Sequence, residues 1–197
     1  KPELLCQFNS GKLELQDNKT FILPPPGGFF QATKFAEKTI LDEVFFSLKR
    51  SKNLKILDMF SGSGTITLPL LIKKHQVYAI DIKKESLENL VFASKQQNLF
   101  GKLQTKVHNL IKHSLSIDFL KLFDVVILDP PRSGARKQFL SLAEANVPKI
   151  ISVSCNIKTF LSDSKILINK GYKLKTITPI DQFLYTKHLE IIGIFEI

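Results

Sequence analysis

Cysteine is scarce in this sequence, and its scarcity argues against two classes of protein. The 197 residues contain two cysteines, Cys6 and Cys155, which lie far apart in the chain. Two distant cysteines make no disulfide framework, so we expect a reducing, cytoplasmic setting. The four histidines are scattered and show no metal-ligand spacing with the cysteines. We therefore expect no metal site.

Long apolar runs are also missing from the sequence. No apolar stretch reaches the ~18 residues that a membrane-spanning helix needs. The first residues do not resemble a signal peptide, so the sequence predicts no membrane partner. The chain begins KPELL without an initiator methionine, and we expect it to be part of a longer protein. Its length suits one domain with a hydrophobic core, and we expect a monomer.

Acidic residues are outnumbered by basic ones. Lysine and arginine total 28 against 18 aspartates and glutamates, which gives a net charge of +10. A basic chain favours a polyanionic partner, with nucleic acid first. Only Arg50, Arg132 and Arg136 are arginines, and lysine-rich usage can also reflect genome composition. Charge alone therefore does not decide between RNA binding and compositional bias.

Apolar periodicity predicts alternating strands and helices in most of the chain. Residues 3–23 alternate polar and apolar side chains and predict short antiparallel strands, and LPPPGGFF then interrupts regular structure. A helix is predicted from Gln31 to about Leu48, with Phe35 and Ile40 on its apolar face. The following β and α units predict a mostly parallel α/β sheet, with an antiparallel last strand at or near an edge. We place the remnant of a preceding β-rich domain at residues 1–30 and the α/β domain at residues 31–197.

A glycine-rich turn follows the first strand of the α/β domain. Asp58 ends that strand, and the turn through Gly62 and Gly64 then enters a helix. Asp81 ends the next strand, about 20 residues on, where an acidic group commonly holds ribose hydroxyls. The pattern predicts an adenosine-type cofactor, although a plain βα turn has the same glycines. The third glycine of a dinucleotide-binding loop is replaced by Thr67, which disfavours a dinucleotide.

Two later strands end in reactive side chains. Residues 127–134 read ILDPPRSG, where the paired prolines stiffen a loop that holds Asp129 and Arg132 at the carboxyl edge of the sheet. Cys155 ends the next strand and is either a buried packing residue or a nucleophile. The N-terminus of the following helix and nearby cations should favour its thiolate. His188 and Glu190 share one face of the last strand. They are either functional residues or part of a solvated strand edge.

These motifs together resemble the RNA uracil-C5 methyltransferases, which make 5-methyluridine in tRNA and rRNA. The resemblance lies in SCN at 154–156, DPPRSG at 129–134, TKHLE at 186–190, FFQ at 29–31 and the DMFSGSG loop at 58–64. It covers residues ~20–195 and implies a class I S-adenosylmethionine-dependent methyltransferase fold, S-adenosyl-L-methionine as cofactor and RNA as partner. Members of the family usually carry an RNA-binding barrel upstream of this region.

The resemblance also implies a role for individual residues. Cys155 is then the nucleophile and Glu190 the general base, and Arg132 and His188 contact the substrate. Residues that fall on cofactor or uracil contacts of the family are Gln31, Phe60, Asp81, Asn109 and Asp129. The glycine-rich turn adds Asp58, Gly62 and Gly64 as cofactor-binding candidates. Thr65 departs from the family, which often has asparagine there, so a side-chain contact at that position is not carried over.

The expected reaction is methylation of uracil C5 after thiolate addition at C6. PPPGGFFQAT is more similar to rRNA-acting members and DPPRSG to tRNA-acting ones, and we favour 23S rRNA over tRNA. Three other hypotheses remain at this point: an amino-group methyltransferase of the same fold, a non-catalytic RNA-binding module, and a dinucleotide oxidoreductase. Arg132 stands where amino-group methyltransferases usually have an aromatic residue, which argues against the first.

Overall fold

The computed structural model describes residues 12–17, 19–28, 31–49, 51–182, 186 and 189–197. A small N-terminal hairpin precedes an alternating series of helices and strands. In chain order the elements are β1 (Leu13–Glu14), β2 (Phe21–Ile22), α1 (Lys34–Leu48), β3 (Lys55–Met59), α2 (Thr67–Ile72), β4 (Gln76–Asp81), α3 (Lys84–Gln96), a 3₁₀ turn (Phe100–Lys102), β5 (Leu103–Val107), α4 (Ile117–Leu120), β6 (Val125–Leu128), α5 (Arg136–Ala145), β7 (Lys149–Ser154), α6 (Ile157–Asn169), β8 (Lys173–Ile180) and β9 (Glu190–Glu196).

Seven of the strands form one sheet in the order β5-β4-β3-β6-β7-β9-β8. The first five in that order are parallel, and β9 runs antiparallel to both of its neighbours. The predicted parallel sheet with an antiparallel last strand is therefore confirmed. The edge position belongs to β8, because β9 inserts between β7 and β8. Because β9 runs antiparallel to β7, its start lies at the same edge as the carboxyl ends of the parallel strands.

Alternate residues of the central strands pack into two cores on opposite faces of the sheet. Ile56 contributes to the core beneath α1, α2 and α3, whereas its neighbour Leu57 contributes to the core beneath α4, α5 and α6. The same alternation separates Val125 from Val126 on β6. Strands buried on both faces have near-continuous apolar sequences, which is why these segments could be recognised as parallel strands.

Helix α1 begins three residues later than its apolar spacing predicts. Thr33 caps the first turn, because its hydroxyl accepts a hydrogen bond from the Ala36 N–H at 3.1 Å. Phe35 is 61% exposed, so its predicted place on the apolar face is wrong. The buried apolar face instead repeats every four residues, at Ala36, Ile40, Val44 and Leu48. Phe35 lies one position before this stripe, on the solvent side.

The N-terminal hairpin packs against the α/β core. The side chain of Gln97, at the end of α3, accepts a hydrogen bond from the Phe21 N–H at 3.1 Å and donates one to the Phe21 carbonyl at 3.0 Å. Leu13, Leu15 and Ile22 are buried in the same core as α1 and α3. The domain boundary at residue 30 stays a prediction. The hairpin nonetheless packs against the core of the α/β domain. Within the described ranges, no helix has both the length and the apolar content to cross a membrane.

Candidate active site

The loop between β3 and α2 turns through three residues with left-handed backbone. Phe60, Gly62 and Gly64 have φ values of 63°, 53° and 94°. A Cβ on Gly62 would meet nothing within 4 Å, whereas one on Gly64 would lie 2.4 Å from Leu90 Cδ1 of α3. Gly62 therefore leaves open space beside the turn, and Gly64 allows α3 to pack closely. Phe60 is a non-glycine residue in a conformation that is strained for bulky side chains.

Asp81 joins this loop to the end of β4. Its Oδ2 accepts a hydrogen bond from the Gly62 N–H at 2.9 Å, and its Oδ1 accepts one from the Lys83 N–H at 2.8 Å. Each carboxylate oxygen can accept a second hydrogen bond. Asp81 is thus fixed in orientation and keeps acceptor capacity for a ligand in front of the loop.

Asp58 lies deeper, at the base of the loop. It is 1% exposed, and its Oδ2 accepts a hydrogen bond from the Thr67 hydroxyl at 2.5 Å. Burial raises the pKa of Asp58 to about 7, against the opposing effect of the Thr67 hydrogen bond. Thr67, which replaces the third glycine of a dinucleotide loop, therefore holds a buried carboxyl group.

Asp129 and Arg132 come from the loop that follows β6. The Gln31 side chain, just before α1, donates a hydrogen bond from Nε2 to Asp129 Oδ2 at 3.3 Å. Burial first, and then the negative charges of Glu190 and Asp58, raise the pKa of Asp129 to about 8. The Arg132 carbonyl accepts a hydrogen bond from Asn156 Nδ2 at 3.0 Å, which ties this loop to the SCN segment.

Cys155 and Glu190 are brought opposite one another by the pairing of β7 with β9. In this antiparallel ladder Ser154 pairs with Ile191, and one further step of the same register places Cys155 across from Glu190. Glu190 is 4% exposed, and its Oε2 accepts a hydrogen bond from Gln182 Nε2 at 2.9 Å. Burial raises the pKa of Glu190 above its usual range. A thiol and a buried carboxyl group, 35 residues apart in sequence, thus face the same space.

The surroundings of Cys155 disfavour its thiolate, contrary to the sequence-based expectation. Burial raises its pKa, and the negative charges of Glu190 and Asp129 raise it further, against the opposing effect of Arg132. Asn156, next to the thiol, caps α6: its Oδ1 accepts a hydrogen bond from the Lys158 N–H at 3.0 Å. Burial and two neighbouring carboxyl groups together outweigh one guanidinium.

A cavity of about 550 Å³ brings these side chains together at the carboxyl edge of the sheet. The residues predicted from the sequence that line it are Phe60, Gly62, Asp81, Asp129, Arg132, Cys155 and Glu190. Sequence reasoning missed Ala32, Lys83, Ser86 and Gln182, which also line it. Gln182 lies in the connection between β8 and β9, outside any motif, and only its contact with Glu190 reveals a role.

The remaining predicted site residues lie elsewhere. Gln31 and Asp58 line a smaller neighbouring cavity, and Gly64 is a packing position. Asn109 lines neither cavity, and its Oδ1 accepts a hydrogen bond from the Lys112 N–H at 3.0 Å. His188 lies outside the described residues, as do Phe29 and Phe30 of the FFQ motif. In the part of the chain that the structure describes, no group of three or more His, Cys, Asp or Glu side chains could hold a metal ion.

Curated RNA methyltransferases share much of this sequence. An uncharacterized RNA methyltransferase of Agrobacterium fabrum is 36% identical over 194 residues, which covers 95% of this chain and 46% of that protein. One from Caulobacter vibrioides is 33% identical over 171 residues, covering 87% of this chain and 40% of that protein. The chain thus spans less than half the length of these relatives.

Solved structures share the fold. The tRNA (uracil-54, C5)-methyltransferase of Pyrococcus abyssi, in complex with S-adenosyl-L-homocysteine, superposes with a TM-score of 0.78 at 27% identity, covering 95% of this chain and 45% of that one. A SAM-dependent methyltransferase from Agrobacterium tumefaciens gives a TM-score of 0.67 at 14% identity, covering 97% of this chain and 71% of that one. At 14% identity the likeness shows the fold alone, which is that of the class I methyltransferases.

A match to a family model identifies the family of this chain. The model described as tRNA (uracil-5-)-methyltransferase matches residues 4–196, which is nearly the whole chain. The match includes the strands that carry Cys155 and Glu190 as well as the loop between β3 and α2. The chain therefore belongs to the tRNA (uracil-5-)-methyltransferase family.

Proposed function

We propose that this chain is the catalytic domain of an RNA methyltransferase that forms 5-methyluridine with S-adenosyl-L-methionine as cofactor. The observation that carries the proposal is the placement of Cys155 opposite Glu190 in the cavity that Asp81 and Gly62 also line. A nucleophile, a proton acceptor and a nucleoside-binding carboxylate then border one space. The family membership of the chain supports the same reaction.

The residues of the cavity suit this cofactor. Asp81 is positioned to accept hydrogen bonds from ribose hydroxyls, and Gly62 leaves space for an approaching ligand. Phe60, Ser86 and Asp129 line the same cavity. The bound cofactor supplies an electrophilic methyl group to a carbon nucleophile. The Pyrococcus abyssi relative was solved with S-adenosyl-L-homocysteine, which supports this assignment.

Cys155 supplies the electrons that uracil lacks at C5. C5 of uracil is a weak nucleophile, and addition of the thiolate to C6 turns the ring into an enolate with electron density on C5. Burial raises the pKa of Cys155, which disfavours the thiolate in the free protein. We expect the positive charge of Arg132, which lines the cavity, to stabilise the thiolate and the enolate oxygen.

Glu190 completes the reaction by removing a proton. Once C5 carries the new methyl group, its remaining hydrogen must leave as a proton before Cys155 can be eliminated from C6. Burial raises the pKa of the Glu190 carboxyl, which makes its carboxylate a stronger base than an exposed one. Gln182 holds the carboxyl by a 2.9 Å hydrogen bond to Oε2 and leaves Oε1 for the proton.

Replacement of Asp81 by asparagine should weaken cofactor binding without unfolding the domain. The amide retains one acceptor oxygen but loses the charge-assisted hydrogen bonds to the ribose, which we expect to cost ~1–3 kcal/mol of binding free energy. Titration calorimetry with S-adenosylhomocysteine measures the loss. Asp118→Asn, at an exposed carboxylate of α4, is the matched control and should leave affinity unchanged. Tighter binding of NAD than of S-adenosylhomocysteine by the wild-type protein would contradict the cofactor assignment.

A basic rim includes Arg132, which lines the cavity, and suits the RNA backbone. We use this name for two segments without acidic residues, 108–113 (HNLIKH) and 132–137 (RSGARK), the second of which runs into the start of α5. Lys137 Nζ donates a hydrogen bond to the Lys112 carbonyl at 3.0 Å, and the buried Gln138 side chain donates to the carbonyls of Leu110 and His113. The two segments are thus fixed together beside Arg132, which places positive charge where phosphates flanking the target uridine would lie.

RNA affinity of this domain should be weak and strongly dependent on salt. On single strands log K falls by ~0.7 per phosphate contact for each tenfold rise in salt. Replacing Lys112 and Lys137 by alanine should therefore make the slope shallower by up to ~1.4, as measured by fluorescence anisotropy across a salt series. The matched control replaces Lys52 and Lys170 by alanine, because both are exposed lysines near the opposite edge of the sheet. A salt-independent affinity would mean that the basic rim is not a binding surface.

We favour 23S rRNA as the substrate, with tRNA as the alternative. The PPPGGFFQAT segment is more similar to rRNA-acting members, whereas the matching family model and the Pyrococcus abyssi relative carry the names of tRNA enzymes. Mass spectrometry of nuclease digests from a strain lacking the gene separates the two. Loss of 5-methyluridine from 23S rRNA supports the first substrate, and loss from tRNA supports the second.

A further inference from the structure

The smaller cavity beside the active site has an unusual lining. Its volume is about 30 Å³, and it shares Phe60, Gly62 and Asp129 with the larger cavity. Four of its lining residues have a buried side-chain atom without a hydrogen-bond partner in the described part of the chain: Gln31 Oε1, Glu37 Oε2, Ser61 Oγ and Ser63 Oγ. Buried polar atoms are normally satisfied, so four such atoms around one space indicate a binding site for a polar group.

Glu37 is the member of this lining that no motif explains. Its side chain extends from the first turn of α1 and is 0% exposed. Oε1 accepts a hydrogen bond from the Gln16 N–H at 2.6 Å, which leaves Oε2 as the unpartnered atom. A fully buried carboxyl group with one free oxygen is costly unless a donor or a cation reaches it.

Acceptors and acidic groups dominate the cavity. Asp58 and Asp129 line it together with Glu37. Burial raises the pKa of Glu37 and of Asp58 to about 7 each, and that of Asp129 to about 8. Burial is the largest cause of each shift, and a bound cation would favour the charged form of a carboxyl group that burial disfavours.

We propose that Glu37 binds the α-ammonium group in the amino-acid part of S-adenosylmethionine, with Gln31 Oε1 as a second acceptor. The volume suits a group the size of a water molecule or an ammonium, and the lining offers acceptors to a donor. The inference rests on the cofactor assigned in the proposed function but not on uracil chemistry. Gln16 then acts as a positioning residue, because its N–H fixes the Glu37 carboxylate from the N-terminal hairpin.

Two ligands and one substitution test this role without RNA. Calorimetry at pH 8, where a carboxyl group with a pKa near 7 is mostly ionised, compares S-adenosylhomocysteine with its desamino analogue, in which hydrogen replaces the ammonium. The wild-type protein should prefer S-adenosylhomocysteine by ~10- to 100-fold, as expected for a charge-assisted hydrogen bond. Glu37→Gln should remove most of this preference and leave the affinity for the desamino analogue within about twofold.

Asp42→Asn is the matched control, because Asp42 lies on the exposed side of α1 and pairs with Lys38. It should keep the wild-type preference.

Glu37→Gln should fold, since its amide oxygen can still accept the Gln16 hydrogen bond and no buried charge remains; its melting temperature checks this. If it does not fold, Glu37→Asp, which keeps the charge on a shorter side chain, should lower the preference instead. An unchanged preference in the folded variant, or an equal loss for both ligands, overturns the proposal. Because no RNA is used, a failure here leaves uracil methylation to be judged by its own test.

Discussion

Replacing Cys155 by alanine is expected to abolish methyl transfer while leaving cofactor binding intact. Without the thiolate, C5 of uracil never gains the electron density it needs, so the rate should fall by at least ~10⁴-fold. The cofactor should still bind, because Asp81 and the loop between β3 and α2 do not depend on the thiol. Transfer of radiolabelled methyl groups measures the first effect, and calorimetry measures the second.

The thiol should also be trapped chemically by the wild-type enzyme. RNA that carries 5-fluorouridine at the target position should form an adduct stable to denaturants, because fluorine at C5 cannot leave as a cation. Cys155→Ala should form none, whereas alanine at Cys6, the only other cysteine of the chain, should leave adduct formation unchanged. Methylation that survives in Cys155→Ala would instead favour an amino-group methyltransferase.

Replacing Glu190 by glutamine should stop the reaction after methyl transfer instead of before it. The amide cannot accept the C5 proton, so Cys155 stays bonded to C6 of a ring that already carries the methyl group. A covalent complex of protein and methylated RNA should therefore accumulate with ordinary, unfluorinated substrate and appear on a denaturing gel. Turnover should fall by the ~10²–10⁴-fold typical of a lost general base.

Two comparisons make the Glu190 experiment specific. Glu196→Gln changes the same residue type at the opposite end of β9, where the carboxylate pairs with Lys149 at 3.1 Å, and should turn over normally without a trapped complex. The double variant of Cys155→Ala and Glu190→Gln should show no complex, because the bond runs through the thiol. Normal turnover of Glu190→Gln would mean that the proton leaves by another route, through water or His188.

The strands and the central site residues were predictable because their sequence patterns are local. Buried parallel strands have continuous apolar runs, and Asp58, Asp81, Asp129 and Cys155 each follow one, so a shared edge follows from topology. Glu190 was predictable as part of a motif. Its position opposite Cys155 depends on β9 inserting between β7 and β8, and the strand order within an edge hairpin is not encoded in periodicity.

Other features depend on contacts between distant segments and were not predictable. Phe35 fits a helical period yet lies on the solvent side, because the stripe from Ala36 to Leu48 packs more deeply. The raised pKa of Cys155 reflects burial first and then the charges of Glu190 and Asp129, and only folding creates these surroundings. Glu37 would pass for an ordinary solvated helix residue until the structure places it beneath the loop between β3 and α2.

The insertion of β9 has a consequence for the chain as the ribosome makes it. Until residues 190–196 have emerged, β7 pairs with β6 on one side only, and the backbone groups beside Ile150, Ile151 and Val153 form an open apolar edge. Such an edge invites pairing with other unfinished chains. The strand that finally covers this edge is also the strand that brings Glu190 to Cys155. Nascent chains therefore present the thiol before the carboxyl group, and the segment that covers the open edge is the same one that completes the proposed catalytic pair.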